Sequence, residues 1–383
     1  MKKQILFVIE SLHCGGAEKS LVTLLNNLDY THLDISVLLF CRGGLFEKLI
    51  PEEVKVLTRE FPVAGNKIKY IGGRIKFWIL KKMSYRKNMH ASQLFWKSFG
   101  KYIPVLEKEF HIAIAYNQGF STYFVSELVV SDKKYAWINT DYIKAGYNPS
   151  FDYKFYKSFD KVIAVSPESC NSFTVSMARI GVGINTKVIK DIVDKDLILS
   201  MSQEPLAQPF SDTCINLVTV ARLTKPKGLD LALQSCRKLI DKGYKVHWYI
   251  IGEGMERKNI EYGIEKLGIA DAVTLTGFTD NPYPYIKAAD IYIQTSLFEG
   301  LGLSLIEASL LNKPIVTTNF DTACSIIEHG NTGLICKIDT DDIVKHIELY
   351  INDKKLRRTV ASNLRDQDTK DKEISLDAFY SLL

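Results

Sequence analysis

The sequence predicts an α/β protein of two domains, each a parallel sheet covered by helices. Three observations carry this. The chain has 383 residues, two domains' worth at roughly 100–200 residues each. Short apolar, strand-like runs alternate with amphipathic, helix-like segments, the pattern that repeated strand–helix–strand units leave in a sequence. The alternation stops near residue 194 and restarts near residue 215.

In the first half, strands are expected at Gln4–Ile9, Ile35–Phe40, Ile112–Tyr116, Lys134–Ile138 and Lys161–Ser166. A helix is expected from Gly16 to about Leu28, because Leu21, Leu24, Leu25 and Leu28 recur at helical spacing. In the second half, strands fall at Ile215–Ala221, Val246–Gly252, Val273–Thr276, Ile291–Gln294 and Pro314–Thr318. Helices lie between them, near Gly228–Asp241, Met255–Leu267, Pro282–Ala288 and Gly302–Leu311. The domains are expected over 1–194 and 195–371. Residues 194–214, with Pro205 and Pro209 among polar neighbours, read as the linker. A last helix is expected over 372–383.

Hydrophobic residues make up 46% and charged residues 24% of the chain, enough apolar surface to bury a core and too little charge for a disordered polymer. The seven cysteines include no CxxC pair, which argues against a zinc ribbon or a disulfide framework and fits a reducing compartment. The opening MKKQILFVIESL has only Ile5–Ile9 before Glu10, too short an apolar run for a signal peptide. It reads as a buried first strand. No run of about 18 apolar residues that would span a bilayer occurs.

Net charge is +5, unevenly spread. Residues 1–190 hold 27 Lys+Arg against 16 Asp+Glu, and the remainder holds 22 against 28. Residues 67–101 contain ten Lys/Arg and no Asp or Glu, interleaved with Tyr70, Phe77, Trp78, Tyr85, Phe95, Trp96 and Phe99. Basic side chains near anionic lipid gain roughly 1 kcal/mol each, and Trp and Tyr sit well at headgroup level. The segment is therefore expected to dock on an anionic membrane surface; a solvated basic face over core aromatics is the alternative. No nucleic-acid-binding module accompanies it, so nucleic acid is not an expected partner.

Four motifs carry chemistry. LHCGGAEKS, residues 12–20, places His13, Gly15 and Gly16 between the first strand and the first helix, where bare backbone and a helix N-terminus suit an anion or a tight turn. It is not the GxGxxG dinucleotide fingerprint. VARLTKPKGLDLAL, residues 220–233, puts Arg222 and Lys227 beyond a strand end, with Lys225 beside them. Two cations there suit a diphosphate and would stabilise it as a leaving group. IIGEGMERKNIE, residues 250–261, offers Gly252 and Gly254 to a base or ribose. SLFEGLGLSLIEASLLNKPIVTT, residues 296–318, is the most specific. Gly300 and Gly302 open a loop before a helix whose Leu303 and Ser304 N–H groups would face a phosphate. Glu299 on the loop would reach a sugar, and Glu307, one turn into the helix, would reach ribose hydroxyls.

These motifs, in this order, resemble glycosyltransferase family 4. The resemblance spans nearly the whole chain, from GGAEKSLVTLL through SPESCNSF near residue 166 and LTGFTDNPYPYIKAADIYIQTS, residues 275–296, into the paired glutamates. It implies the GT-B fold, two Rossmann-like domains facing each other across a cleft, with the donor on the C-terminal domain and the acceptor on the N-terminal one. It implies retention of anomeric configuration, a nucleotide-diphospho-sugar donor (UDP by family frequency), no metal and no other cofactor. The final helix would pack on the N-terminal domain. By the resemblance Arg222 and Lys227 meet the diphosphate, Glu307 the ribose, Glu299 the donor sugar, and Gly16 the diphosphate from the opposite domain.

One position departs. Related sequences often carry His where AWINTD, residues 136–141, has Asn139. Asn139 donates and accepts hydrogen bonds but is no general base. His13, Asn117, Gln118, Asn139 and Asp141 are the candidates for the acceptor or sugar pocket. The expected activity is sugar transfer to a glycan or lipid-linked saccharide in surface-polysaccharide synthesis, by a cytoplasmic protein peripheral to the inner face of the cell membrane. The rival readings are a nucleotide-sugar epimerase, for which the site lacks an evident acid and base, and a non-catalytic transferase-like partner.

Overall fold

The computed structural model describes residues 2–13, 15–59, 67–84, 89–206, 209–365 and 371–383. Cys14, Tyr85, Arg86 and Lys87 lie outside these. The chain forms two compact units, residues 1–192 with 373–383, and residues 193–372.

The N-terminal unit is a seven-stranded parallel sheet in the order β3-β2-β1-β4-β5-β6-β7. Its strands are β1 (Lys3–Ile9), β2 (Leu33–Leu39), β3 (Lys55–Thr58), β4 (Phe110–Ala115), β5 (Ser131–Ile138), β6 (Lys161–Ala164) and β7 (Thr186–Val188). Helices α1 (Gly16–Asn26), α2 (Lys67–Ser84), α3 (Ala91–Phe99), α4 (Phe120–Leu128), α5 (Pro149–Tyr156) and α6 (Pro167–Ala178) connect them. Ile5–Ile9 of β1 are fully buried, as the continuous apolar run of a central parallel strand demands.

The C-terminal unit is a six-stranded parallel sheet ordered β10-β9-β8-β11-β12-β13. Its strands are β8 (Ile215–Val220), β9 (Val246–Ile251), β10 (Val273–Gly277), β11 (Ile291–Gln294), β12 (Ile315–Thr318) and β13 (Leu334–Cys336). Its helices are α7 (Lys195–Met201), α8 (Leu229–Asp241), α9 (Arg257–Leu267), α10 (Tyr283–Ala288), α11 (Leu303–Leu310), α12 (Ala323–Ile326), α13 (Thr340–Asn352) and α14 (Lys354–Arg365). Leu217, Trp248, Ile250, Ile291, Ile293 and Val316 from the sheet pack with Leu233, Leu239 and Ile347 from the helices in one core.

The expected linker 194–214 is partly helical. Asp194 accepts a hydrogen bond from the Leu197 N–H at 3.0 Å and so caps α7. The closing helix α15 (Asp371–Tyr380) belongs mostly to the N-terminal unit. There Phe379 stacks on Phe7 with centroids 6.1 Å apart, and Tyr135 Oη donates to the Leu382 carbonyl at 2.8 Å.

Candidate active site

In each sheet the strand order reverses once, between β1 and β4 in one unit and between β8 and β11 in the other. At such a point the loops leaving adjacent strands diverge, and a crevice opens beyond their carboxyl ends. Arg222 and Lys227 follow β8, and Glu299 follows β11, so these three flank the reversal of the C-terminal sheet.

Backbone contacts build the crevice. Thr224–Lys227 forms a tight turn. The Leu297 N–H donates to the Pro226 carbonyl at 2.7 Å, and Thr295 Oγ1 donates to the Lys227 carbonyl at 2.9 Å. The two loops are thereby joined. Lys227 Nζ then reaches both Glu299 oxygens, at 2.6 and 2.7 Å. Oε1 of Glu299 also accepts from Ser296 Oγ at 2.6 Å and Gln294 Nε2 at 2.9 Å. With side-chain exposures of 17% and 11%, the pair is largely removed from water and held in one geometry. Arg222 is exposed beside it.

Gly302 leads into α11. The first hydrogen bonds of that helix run from the Leu305 and Ile306 N–H groups to the Gly302 carbonyl. The N–H groups of Leu303 and Ser304 stay outside this ladder, where the helix favours negative charge. Glu307 lies one turn further on and is 3% exposed. Gly252 and Gly254 lie against another stretch of backbone. A Cβ at Gly252 would fall 2.0 Å from the Ala221 carbonyl oxygen, and one at Gly254 2.4 Å from that of Leu223. Their missing side chains admit this crossing backbone.

In the N-terminal unit, Gly15 and Gly16 open α1 directly after the loop that carries exposed His13. Beyond β4 and β5, Asn139 Nδ2 donates to the Tyr116 carbonyl at 2.5 Å, and the Asn139 N–H donates to Gln118 Oε1 at 2.8 Å. Asn117 Oδ1, Gln118 Nε2 and Asn139 Oδ1 are buried without a hydrogen-bond partner among the described residues. Three unmet polar atoms at the carboxyl ends of neighbouring strands suit a polyhydroxylated ligand. Asp141 is engaged within the fold through one oxygen. Its Oδ1 accepts from the Ile143 and Lys144 N–H groups at 3.0 and 2.9 Å and from Ser172 Oγ at 2.6 Å. That oxygen pins the turn after β5 and is not offered to an acceptor.

Sequence reasoning missed Gln294 and Ser296, which hold Glu299. Both lie inside the quoted IYIQTS run, but nothing in their spacing shows which way they point. A depression of about 590 Å3 lined by Lys2, Asp34, Lys55 and His111 lies at the amino ends of β1–β4, at the other end of that sheet from Asn117, Gln118 and Asn139. Asp34 is paired there with Lys55 at 2.7 Å, and His111 Nδ1 accepts from the Gln4 N–H at 3.0 Å.

The chain resembles known proteins in both halves. A GalNAc-alpha-(1->4)-GalNAc-alpha-(1->3)-diNAcBac-PP-undecaprenol alpha-1,4-N-acetyl-D-galactosaminyltransferase of Campylobacter jejuni is 27% identical over 382 residues, covering 97% of this chain and 95% of that one. An uncharacterized glycosyltransferase of Methanocaldococcus jannaschii is 26% identical over 191 residues, 49% of this chain and 47% of its own length. The chain thus spans about half of that relative. The crystal structure of Anabaena Alr3699/HepE in complex with UDP and glucose superposes with a TM-score of 0.72 at 19% identity, covering 99% of both chains. The architecture is that of two Rossmann-like α/β domains, as in GT-B proteins. Residues 206–367, which contain Arg222, Lys227, Glu299 and Glu307, match the family model for glycosyl transferases group 1.

Proposed function

We propose that the protein is a retaining glycosyltransferase of family 4. In this reading it moves a sugar from a UDP-sugar to a glycan or lipid-linked saccharide during surface-polysaccharide synthesis. The observation that carries it is the Lys227–Glu299 pair at the strand-order reversal, with Glu299 on the loop that leads into the α11 N-terminus. The UDP and glucose bound by the Anabaena protein and the undecaprenol-linked substrate in the Campylobacter relative's name support the substrate classes.

The chemistry asked of the residues is modest. Arg222 and Lys227 neutralise the diphosphate as the sugar C1–oxygen bond breaks, and the Leu303 and Ser304 N–H groups accept part of the same charge. No metal is needed for that neutralisation. The acceptor oxygen attacks from the face the diphosphate leaves, its proton passing to a phosphate oxygen, so configuration is retained. Glu307 holds the ribose. Glu299 orients Lys227 and binds sugar hydroxyls. Asn117, Gln118 and Asn139 bind saccharide hydroxyls on the acceptor side. The protein works at the inner face of the cell membrane, held there by residues 67–101; no described helix is long and apolar enough to cross a bilayer.

Incubation with a panel of nucleotide sugars and a lipid-linked saccharide acceptor tests this. The expected product carries the donor's anomeric configuration by NMR. Inverted product would overturn retention, epimerised donor without acceptor would favour the epimerase, and absence of turnover with every donor would favour a non-catalytic partner.

A further inference from the structure

Helix α2 has two apolar faces. One, with Gly73 and Phe77, packs on α3. Phe77 meets Phe95 with ring centroids 6.5 Å apart, and a Cβ at Gly73 would fall 2.2 Å from the Phe99 ring. Among the described residues, nothing covers the opposite face. At about 100° per residue, Ile71, Ile75, Trp78, Ile79 and Met83 share one side of the helix. They are 55%, 55%, 62%, 44% and 58% exposed. Exposed apolar residues are ordinary when scattered; five large ones in a stripe mark a binding surface.

The charges around the stripe say what covers it. Arg74 and Lys81 are exposed along one edge and Lys76 along the other, Lys82 is exposed within the stripe, and residues 67–101 contain no acid. Lys82 Nζ stands 5.3 Å from the centroid of the Trp78 ring, so cation and apolar surface are presented together. An apolar stripe flanked on both sides by cations matches the cross-section of an anionic bilayer surface.

We infer that α2 lies in the plane of an anionic bilayer, with Ile71, Ile75, Trp78, Ile79 and Met83 below the headgroups and Arg74, Lys76, Lys81 and Lys82 among the phosphates. This rests on the membrane reading of residues 67–101 and adds insertion, its depth-setting residues and the helix orientation.

Trp78 is a built-in reporter, because the other tryptophans, Trp96, Trp137 and Trp248, are 5%, 2% and 1% exposed. The full chain is mixed with phosphatidylglycerol–phosphatidylethanolamine vesicles or with phosphatidylcholine vesicles. The expected result is binding to the anionic vesicles, with Trp78 emission shifted to the blue and quenched by brominated acyl chains. Trp78→Phe removes the quenching. Ile75→Asp raises the lipid concentration for half-binding by about tenfold or more, as loss of a buried aliphatic side chain implies, and leaves the melting temperature and UDP affinity unchanged. Three results overturn the inference: no binding to anionic vesicles, sedimentation with vesicles without Trp78 quenching, or a lipid-independent dimer that Ile75→Asp dissolves. UDP affinity by calorimetry is read separately, so failure of the nucleotide-sugar reading with insertion intact is distinguishable from the reverse.

Discussion

Lys227 Nζ sits 2.6 and 2.7 Å from the two carboxylate oxygens of Glu299, and the two residues come from loops that leave the strands on either side of the C-terminal sheet's order reversal. Glu299, which Ser296 and Gln294 also hold, fixes the Lys227 ammonium between the two loops. Groups that act as a unit lose function together. Lys227→Ala and Glu299→Gln are each expected to cut donor turnover by about 10²–10³-fold, and the double variant is expected to be no worse than the poorer single one. UDP release in steady state measures this; additive losses would show that the two residues act independently.

Glu307 is buried one turn into α11, close enough to the helix start to meet a pentose whose phosphate lies at the N-terminus. Glu307→Gln keeps the shape and removes the charge. Loss of a charge-assisted hydrogen bond costs about 1.5–3 kcal/mol, so the UDP dissociation constant should rise roughly 10- to 100-fold. The comparison with 2′-deoxy-UDP isolates the contact. Calorimetry should find the deoxy ligand weaker on the wild type and the two ligands equal on the variant.

The parallel strands were legible because buried apolar runs such as Ile5–Ile9 and Ile291–Gln294 leave no other reading. Edge strands were not. Thr186–Val188 is half-buried throughout, and Lys55–Thr58 has exposed residues at both ends; neither contains an apolar run, and pairing with a neighbour alone makes them strands. Asp194 was read as linker, although its carboxylate caps a helix. Residue type and spacing single out the glutamates and Lys227, and the structure brings Lys227 and Glu299 into contact. Gln294 and Ser296 were not, because their role depends on which face of β11 and its loop turns towards Glu299. That Gly252 and Gly254 also admit a crossing backbone, with Cβ positions 2.0 and 2.4 Å from its carbonyl oxygens, is a tertiary fact that spacing cannot show.

Among the described residues, Asn117 Oδ1 is buried and unpartnered beyond β4. If a saccharide hydroxyl completes it, Asn117→Ala should raise the acceptor KM about tenfold, a typical single hydrogen bond, and leave UDP affinity alone. Initial-rate kinetics against acceptor concentration checks this. An unchanged KM would assign that oxygen no part in acceptor binding.

Asp152 links two helices of the N-terminal unit through tyrosines. Its oxygens accept from Tyr123 Oη at 2.7 Å and Tyr142 Oη at 2.6 Å. Burial pushes its carboxyl up to about 6, against the hydrogen bonds that favour ionisation. The folded state therefore holds the proton more tightly than the unfolded chain. Its contribution to stability is complete below about pH 4 and is lost as pH rises through about 6, an effect of roughly 3 kcal/mol. Asp152→Asn should flatten that dependence. Urea unfolding of both proteins at several values between pH 4 and pH 7 gives the difference, and parallel curves would refute the assignment.

Gly228 and Gly268 have nearly the same backbone, φ +57° and +63°, but different surroundings. A Cβ at Gly268 meets nothing within 4 Å, whereas one at Gly228 would fall 2.2 Å from the Thr295 carbonyl oxygen. Gly268→Ala should therefore cost only the left-handed conformation, about 1–2 kcal/mol, with turnover unchanged. Gly228→Ala should cost more than that and also force apart the loops that carry Lys227 and Glu299. Its turnover should fall even well below its melting temperature, because the 2.9 Å bond from Thr295 Oγ1 to the Lys227 carbonyl spans the same gap. Thermal melts and UDP release on both variants separate the two effects. Equal turnover in the two variants would mean that the junction between these loops does not set the geometry of the ion pair.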